Sequence, residues 1–293
     1  MKWQGRRQSD NVEKRGSSQS SIGGLGGLGK LGGGGLVLLI IFSLIMGQNP
    51  LEAILGGGGP LAPSENIQSE YKTRNAQEEE LEEFLGVVLA DTEDVWHELF
   101  KEQGATYREP KLTLYQNQVS SGCGVASSRM GPFYCGADET VYIDVSFAKE
   151  LRTLFGAEGD FPFAYVLAHE VGHHVQKQTG KLMDVQGLRG RVSDIEYNNE
   201  MVKLELQADY YAGVVAHHMK ERGYLDPGDV EEGMAAASGV GDDRIQEMQG
   251  GRANPDTFQH GSSKQRKKWF LNGYNYGDFR NGDTFSVDDA KDL

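Results

Sequence analysis

Apolar residues recur every three to four positions in three long stretches of the chain, a spacing that predicts amphipathic helices. The stretches are residues 78–104, 161–180 and 194–222. The first is either one helix or two helices joined near Asp91. Shorter helices are predicted over residues 229–249, where glycines separate two of them, and after Ser262, whose side chain can cap the first turn.

Two further stretches, residues 111–117 and 140–147, alternate apolar and polar positions as β-strands do. The second precedes the metal-binding candidate described below, and it can take up a substrate backbone as an added strand if it lies at a sheet edge. Residues 181–193 are read as a polar loop. The folded domain is expected to span residues 77–281.

A different pattern precedes the helices, because no residue from 31 to 51 is charged and residues 36–46 are apolar apart from Ser43. Counted from Leu31 to Gly47, the run is about 17 residues or about 26 Å long as a helix, the lower limit for a bilayer span. We expect a transmembrane helix over residues 31–51. The alternative is a cleaved signal peptide, although its leader would be long and no small-x-small cleavage site follows.

Charge is distributed unevenly around this run. Residues 1–30 carry a net charge of +4, which leaves −18 on the rest of a chain whose net charge is −14. Basic residues stay on the cytoplasmic side of a span, so the N-terminus is expected in the cytoplasm and the body on the extracytoplasmic, periplasmic side. An acidic body argues against a nucleic-acid partner.

Three segments show no periodic apolar pattern. Residues 1–30 predict a disordered basic and glycine-rich start, and residues 52–76 predict a flexible stalk. Residues 282–293 predict a loose acidic tail.

The second long helix carries the strongest chemical motif, HEVGH at residues 169–173. Residues four apart share one face of a helix, so the imidazoles of His169 and His173 can bind one metal ion. Glu170 is rotated by about 100° and can reach a metal-bound water without being a ligand. This is the HExxH arrangement of zinc peptidases. His174 faces elsewhere and either supports a neighbour or packs in the core.

A hydrolytic zinc site needs three protein ligands and one position for water. The helix of residues 194–222 supplies Glu205 and Asp209 on one face, with alanines that leave room for a close helix crossing. We expect Glu205 to be the third ligand and Asp209 to accept the other N–H of a ligand imidazole. The alternatives are the reverse assignment, Glu196 or Glu200 as ligand, or two exposed carboxylates. The expected cofactor is one Zn²⁺ per chain, and another divalent ion can occupy such a site.

Cys123 and Cys135 are the two cysteines of the chain, which are too few for a four-thiolate zinc site. In an oxidising compartment they can form a disulfide worth about 3 kcal/mol. The alternative is a pair of free thiols.

The motif HEVGHH followed by ELQADYYAG resembles the gluzincin metallopeptidases and, more closely, the bacterial neutral zinc metallopeptidase family of small single-pass proteins. VVLADTEDVW, SGCG, GPFYC, VYID and HGSSKQRKKWF extend the similarity to about 200 residues. The resemblance implies a zincin-like α+β fold, mostly helical with a small sheet. It also implies a metal bound between two helices, with Glu205 as the third ligand.

The resemblance extends to His260 and Arg266, since related peptidases have a histidine followed six residues later by an arginine. Here Gly261 stands where those peptidases have proline. The two residues are predicted to stabilise the oxyanion that forms on a scissile carbonyl. The alternative is that His260 caps a surface helix and Arg266 pairs with an acidic neighbour.

These features together predict a membrane-anchored zinc peptidase that acts on a peptide or protein substrate, with Glu170 as the general base. Two alternatives belong to other functional classes. One is a non-catalytic zinc-containing scaffold or chaperone at the membrane, and the other is a zinc amidase acting on a non-peptide substrate of the cell envelope.

Overall fold

The computed structural model describes residues 1–15, 76–127, 130–145 and 159–293. The transmembrane helix predicted over residues 31–51 and nearly all of the predicted stalk lie outside them. Among the described residues, no helix has the length and apolar character needed to cross a membrane. These residues form an α+β structure that is mostly helical with a small sheet, so this part of the fold prediction is confirmed.

Seven α-helices fall within the described part of the chain. They are α1 (Ala76–Glu102), α2 (Phe161–Gln178), α3 (Lys181–Gln186), α4 (Asp194–Glu221), α5 (Asp229–Gly239), α6 (Asp242–Met248) and α7 (Ser263–Tyr276). The three long predicted helices are present, and α1 is one continuous helix. The expectation of a polar loop after α2 is wrong, because α3 buries Leu182 and Val185 there. A helix of six residues is too short to show a 3.6-residue period.

Local chemistry explains where α2, α4 and α7 begin. Ser193 and Ser262 cap α4 and α7, and each forms a reciprocal capping box with the third residue of its helix. Pro162 occupies the first turn of α2, where its missing N–H is not needed.

One sheet has the strand order β1 (Val12–Arg15), β2 (Lys111–Tyr115), β6 (Thr140–Asp144), β5 (Phe133–Cys135). The first three strands are parallel and β5 is antiparallel to β6. A separate hairpin pairs β3 (Gln118–Ser121) with β4 (Gly124–Ser127). The strand β6, which is the part of the predicted strand of residues 140–147 that the structure describes as a strand, is therefore internal, so the condition that it lies at a sheet edge is not met. The edge beside α2 belongs to β5, which is too short and too uniformly buried to show alternation.

The predicted disulfide is present and joins Cys123, in the turn of the β3–β4 hairpin, to Cys135 at the end of β5. The covalent link holds the hairpin against the edge strand.

The sequence predicted that residues 1–30 are disordered, and for residues 1–15 this prediction is wrong. Residues 1–15 pack on the domain, where they bury Trp3 and supply β1. Their polar sequence hides this role because ion pairs, rather than a periodic apolar face, hold much of the segment in place.

The end of the chain is not a loose tail either. Thr284, Ala290 and Leu293 are buried. The backbone N–H of Ala290 donates to Asn199 Oδ1 at 2.7 Å, and Gln265 Nε2 donates to the carbonyl of Ala290 at 2.6 Å. Hydrogen bonds from α4 and α7 therefore hold residues 282–293, and an acidic composition gives no signal of such contacts.

Helix α4 lies at the centre of the helical layer, with α2 and α7 packed against it. Two glycines allow α4 and α7 to approach closely. A Cβ built on Gly273 would lie 1.9 Å from the carbonyl oxygen of Tyr210, and one built on Gly213 would lie 2.0 Å from that of Phe270. The contact partners are backbone atoms, which cannot move aside independently, so any side chain would force the helices apart.

Gly273→Ala is expected to destabilise the protein by about 3 kcal/mol through overpacking, which corresponds to a fall in Tm of about 6–12 °C. Gly251→Ala is the control, because the nearest atom to its added Cβ is 3.3 Å away. Thermal unfolding of both variants measures the effect. Equal Tm values would show that the crossing tolerates a side chain.

Candidate metal centre

The metal-binding candidates meet where α2 crosses α4. A Cβ built on Gly172 would lie 3.2 Å from both the Cα and the carbonyl oxygen of Ala208, so the two helices approach closely at small residues. The crossing brings Glu205 of α4 to His169 and His173 of α2.

The three side chains present one ligand atom each, within 4.8 Å of one another, and all are buried. His169 Nε2 lies 3.3 Å from Glu205 Oε2, and His173 Nε2 lies 3.4 Å from Glu205 Oε1. In a tetrahedral zinc site with bonds of about 2.1 Å, ligand atoms are about 3.4 Å apart. These two nitrogen-to-oxygen separations therefore fit zinc.

The other nitrogen of each imidazole, Nδ1, already forms a hydrogen bond within the protein. His169 Nδ1 lies 2.9 Å from Asp209 Oδ1, and His173 Nδ1 lies 2.9 Å from Gln176 Oε1. Gln176 Nε2 donates to the carbonyl of Leu204 at 2.7 Å, which turns the amide oxygen toward His173. Both imidazoles thus donate from Nδ1 and keep Nε2 toward Glu205, as metal-binding histidines do.

The electrostatics of this group call for a cation. Burial lowers the pKa of His173 to about 4, so its imidazole is neutral at physiological pH. Burial alone would raise the pKa of Glu205, but His173 and His169 outweigh it and hold the pKa well below its usual range. His173 Nε2 and Glu205 Oε1 have no hydrogen-bond partner among the described residues. Two buried acceptors at 3.4 Å without a shared proton are stabilised by a metal ion between them.

His169 behaves differently in the metal-free protein. Burial lowers the pKa of His169, but the carboxylate of Asp209 outweighs it, and Glu205 adds to the effect, so that the pKa rises to about 9. Metal binding must therefore displace a proton from His169 Nε2 at neutral pH.

Asp209 lies where the prediction for it requires, behind His169. It also accepts hydrogen bonds from the hydroxyl of Tyr165 at 2.6 Å and from Arg266 Nε at 2.8 Å and Nη2 at 2.9 Å. Four donors converge on one buried carboxylate, so its charge is compensated without protonation.

The same contacts correct the expectation for Arg266. Its Nε and Nη2 donate to Asp209, its Nη2 also donates to Tyr165, and its Nη1 donates to the carbonyl of Val240 at 3.3 Å. The guanidinium therefore pairs with an acidic neighbour, the alternative raised from the sequence, and all three of its nitrogens donate to groups within the protein. Its contribution to the site passes through Asp209.

His260 is buried, and its Nδ1 lies 3.1 Å from Asp242 Oδ1. The backbone N–H groups of Gln259, His260 and Gly261 all donate to the other carboxylate oxygen of Asp242. Burial lowers the pKa of His260, but Asp242 outweighs it and, together with Glu205, raises the pKa. His260 is thus held near the metal ligands, and Ser262, not His260, caps α7.

Glu170 is buried beside the ligands. Burial raises the pKa of Glu170 to about 8, while His169 and a backbone hydrogen bond from Tyr134 in β5 act in the opposite direction. Its Oε2 has no hydrogen-bond partner among the described residues. One carboxylate oxygen thus remains available for a proton.

His174 connects α2 to the edge strand. Its Nε2 lies 2.6 Å from the carbonyl oxygen of Arg108, so Nε2 carries the proton and Nδ1 accepts from the hydroxyl of Tyr134 at 2.8 Å. Tyr134 therefore reaches α2 twice, through its backbone to Glu170 and through its side chain to His174.

Sequence reasoning missed four residues of this site: Tyr134, Tyr165, Gln176 and Asp242. Gln176 lies three residues after His173, a spacing that places it on the same helix face and that could have revealed it. Tyr165 lies four residues before His169 in α2, so the same helical spacing could have revealed it. Tyr134 and Asp242 come from other elements, and no local pattern relates them to the motif. Glu196 and Glu200, the alternative ligands, are occupied with the capping box of α4 and with Lys203.

The metal-free protein is expected to lose stability as the pH rises from 6.5 to 9. Pairing of protonated His169 stabilises the fold below its ordinary pKa of 6.5, and that contribution is lost as the pH passes about 9. Burial raises the pKa of Glu170 from its ordinary value of 4.5 to about 8, so the cost of ionising it in the folded state builds up between pH 4.5 and 8 and adds to the loss in the lower part of this interval. His173 and Glu205 titrate below this window.

Differential scanning calorimetry after chelation should show Tm falling by about 5 °C over this interval, with a smaller fall for Glu170→Gln. Zinc should flatten the profile, because the bound ion replaces the proton on His169. A Tm that rises with pH would contradict the assigned charge states.

Comparison with known proteins places this site in a family. A family model described as "Putative neutral zinc metallopeptidase" matches residues 1–285. Protein YpfJ of Escherichia coli K12 is 45% identical over 288 residues, which cover 97% of this chain and 99% of that protein. Protein Rv2575 of Mycobacterium tuberculosis H37Rv is 47% identical over 196 residues, 62% of this chain and 64% of that protein.

Both relatives are described only as uncharacterized proteins, and no solved structure matches the chain significantly. The family model matches nearly the whole chain, and the Escherichia coli protein aligns with it over almost its full length, so the two comparisons establish which family the chain belongs to. This chain belongs to the putative neutral zinc metallopeptidase family.

Proposed function

We propose that the protein is a zinc peptidase in which His169, His173 and Glu205 hold the metal and Glu170 is the general base. The carrying observation is the buried pair formed by His173 Nε2 and Glu205 Oε1, two acceptors 3.4 Å apart with no proton between them. A zincin-like fold and the gluzincin type of HExxH site are part of the same proposal.

When bound, zinc supplies a site that lowers the pKa of a coordinated water and polarises a carbonyl group. Glu170 accepts the water proton on Oε2, the oxygen that has no partner of its own. It then returns this proton to the leaving amine. A carboxyl group whose pKa is raised by burial is suited to both steps.

His260 is assigned to the oxyanion. Asp242 binds its Nδ1 and raises its pKa, which favours the positively charged imidazole, a group suited to stabilise developing negative charge. Asp242 is thereby a positioning residue, because it acts through His260.

The substrate backbone is expected to lie along β5. This strand forms the edge of the sheet beside α2, and Tyr134 in its centre bonds Glu170 through the backbone. A peptide added to this edge would bring its carbonyl groups close to the general base. The substrate is therefore an extended segment of a peptide or protein.

The two other functional classes make different demands on Glu170. A zinc scaffold or chaperone has no use for a buried carboxylate with one unpartnered oxygen beside the metal. An amidase acting on a non-peptide substrate would use the same residues and differs only in what binds beside β5. Hydrolysis assays therefore separate the three.

The test uses the purified full chain with zinc, casein and a peptide library, and mass spectrometry of the products. We expect cleavage that a chelator stops and added zinc restores. Glu170→Gln should lower kcat by about 10³-fold with unchanged zinc content, because it removes proton transfer but no ligand. Glu83→Gln, at an exposed position of α1, is the matched control.

Wild-type activity in Glu170→Gln would remove the general-base assignment. Release of amines from cell-envelope fragments without cleavage of any peptide would favour the amidase. No hydrolysis of either substrate class by zinc-loaded protein would favour the scaffold.

A further inference from the structure

The N-terminal segment, residues 1–15, is built into the zinc domain. Trp3 is 5% exposed, packs edge-to-face on Phe84 with ring centroids 5.7 Å apart, and donates its indole N–H to Asp160 at 3.4 Å. At the other end of the segment, β1 pairs with β2 along its whole length. The segment thus supplies both core and sheet.

Its basic side chains neutralise acidic residues of α1. Arg6 pairs with Asp91, Arg7 reaches Glu93 at 2.9 Å and Asp94 at 2.6 Å, and Lys14 reaches Glu82 at 2.5 Å. Three of these carboxylates, Glu82, Asp91 and Glu93, are at most 3% exposed. Without the segment, buried carboxylates would lose their cationic partners, which is costly in a protein interior.

The end of β1 and the start of α1 lie close together, at the end of β2. Arg15, the last residue of β1, is paired with Tyr115. Next along the chain, Gln116 lies 3.3 Å from the carboxylate of Glu78, in the first turn of α1. Arg15 and the first turn of α1, which flank residues 16–75, thus contact two neighbouring residues, Tyr115 and Gln116, at the end of β2.

These contacts conflict with a single crossing of the bilayer by residues 31–51. One crossing would place residues 1–15 and the domain on opposite sides of about 30 Å of hydrocarbon. Two crossings would need about 40 apolar residues as helices, and the uncharged run has far fewer.

We propose that residues 1–15 lie in the same compartment as residues 76–293, so that the two are not separated by a single crossing of a bilayer. The orientation expected from the sequence treated the N-terminal charges as a cytoplasmic anchor. In the folded protein Arg6, Arg7 and Lys14 are engaged with α1 instead.

The test is cysteine accessibility in the full-length protein in bacterial membranes. Asp10→Cys reports on the N-terminal segment and Lys267→Cys on α7, and both positions are exposed. A membrane-impermeant maleimide is applied to spheroplasts before and after permeabilisation, with the parent chain, whose two cysteines form the disulfide, as background.

Both reporters should label under the same condition, whichever compartment that is. Labelling of one reporter before permeabilisation and of the other only afterwards would overturn the proposal.

A second measurement tests whether the segment is structural. Arg6→Glu combined with Arg7→Glu should lower Tm by about 10 °C, because it places like charges against buried carboxylates. Lys2→Glu is the control, since Lys2 is 63% exposed and lies 3.8 Å from its partner Asp226. An unchanged Tm in the double variant would show that the segment is not part of the folded domain.

Discussion

The proposed metal site depends on two buried acceptors that face each other, the Nε2 of His173 and the Oε1 of Glu205. They can lie 3.4 Å apart only because α2 and α4 cross at Gly172 and Ala208. Their mutual repulsion is relieved by a cation, and the third ligand atom, from His169, lies at the matching distance. This arrangement supports the metal site proposed for the protein.

A second layer of buried polar groups holds the side chains of the candidate ligands in position. On one side, His169 leads to Asp209, and Asp209 leads to Arg266 at the start of α7. On the other side, the amide of Gln176 lies 3.1 Å from that of Gln207, which in turn donates to the carbonyl of Gly282 at 3.0 Å. Through these chains, α7 and the C-terminal residues act on the geometry of the site. The glycine crossing between α4 and α7 therefore matters to the metal as well as to stability.

The sequence predicted those features that local patterns encode. Helical periodicity predicted α1, α2 and α4, and four-residue spacing brought His169 to His173 and Glu205 to Asp209 on common faces. The edge role of β5 could not be predicted, since sheet order depends on pairings between distant segments. Asp242 was missed for a similar reason, because it lies far from the motif along the chain, whereas Tyr165 lies one helical turn before His169 and could have been found from spacing.

The errors at the two ends of the chain have a different cause. Residues 1–15 and 282–293 are held by ion pairs and by hydrogen bonds to side chains of α1, α4 and α7, and composition does not report such contacts. Within the site, Arg266 shows the same limit of reading contacts from the sequence. Its distance from His260 along the chain suggested two groups facing one substrate, whereas the structure shows it buried and paired with Asp209.

Zinc stoichiometry of the purified chain, measured by elemental analysis beside Glu205→Ala and Glu200→Ala, examines the two-helix metal site most directly. The structure predicts about one zinc in the wild type and in Glu200→Ala, and at least a 100-fold weaker affinity in Glu205→Ala. Full zinc content and unchanged affinity in Glu205→Ala would show that α4 does not provide the third ligand.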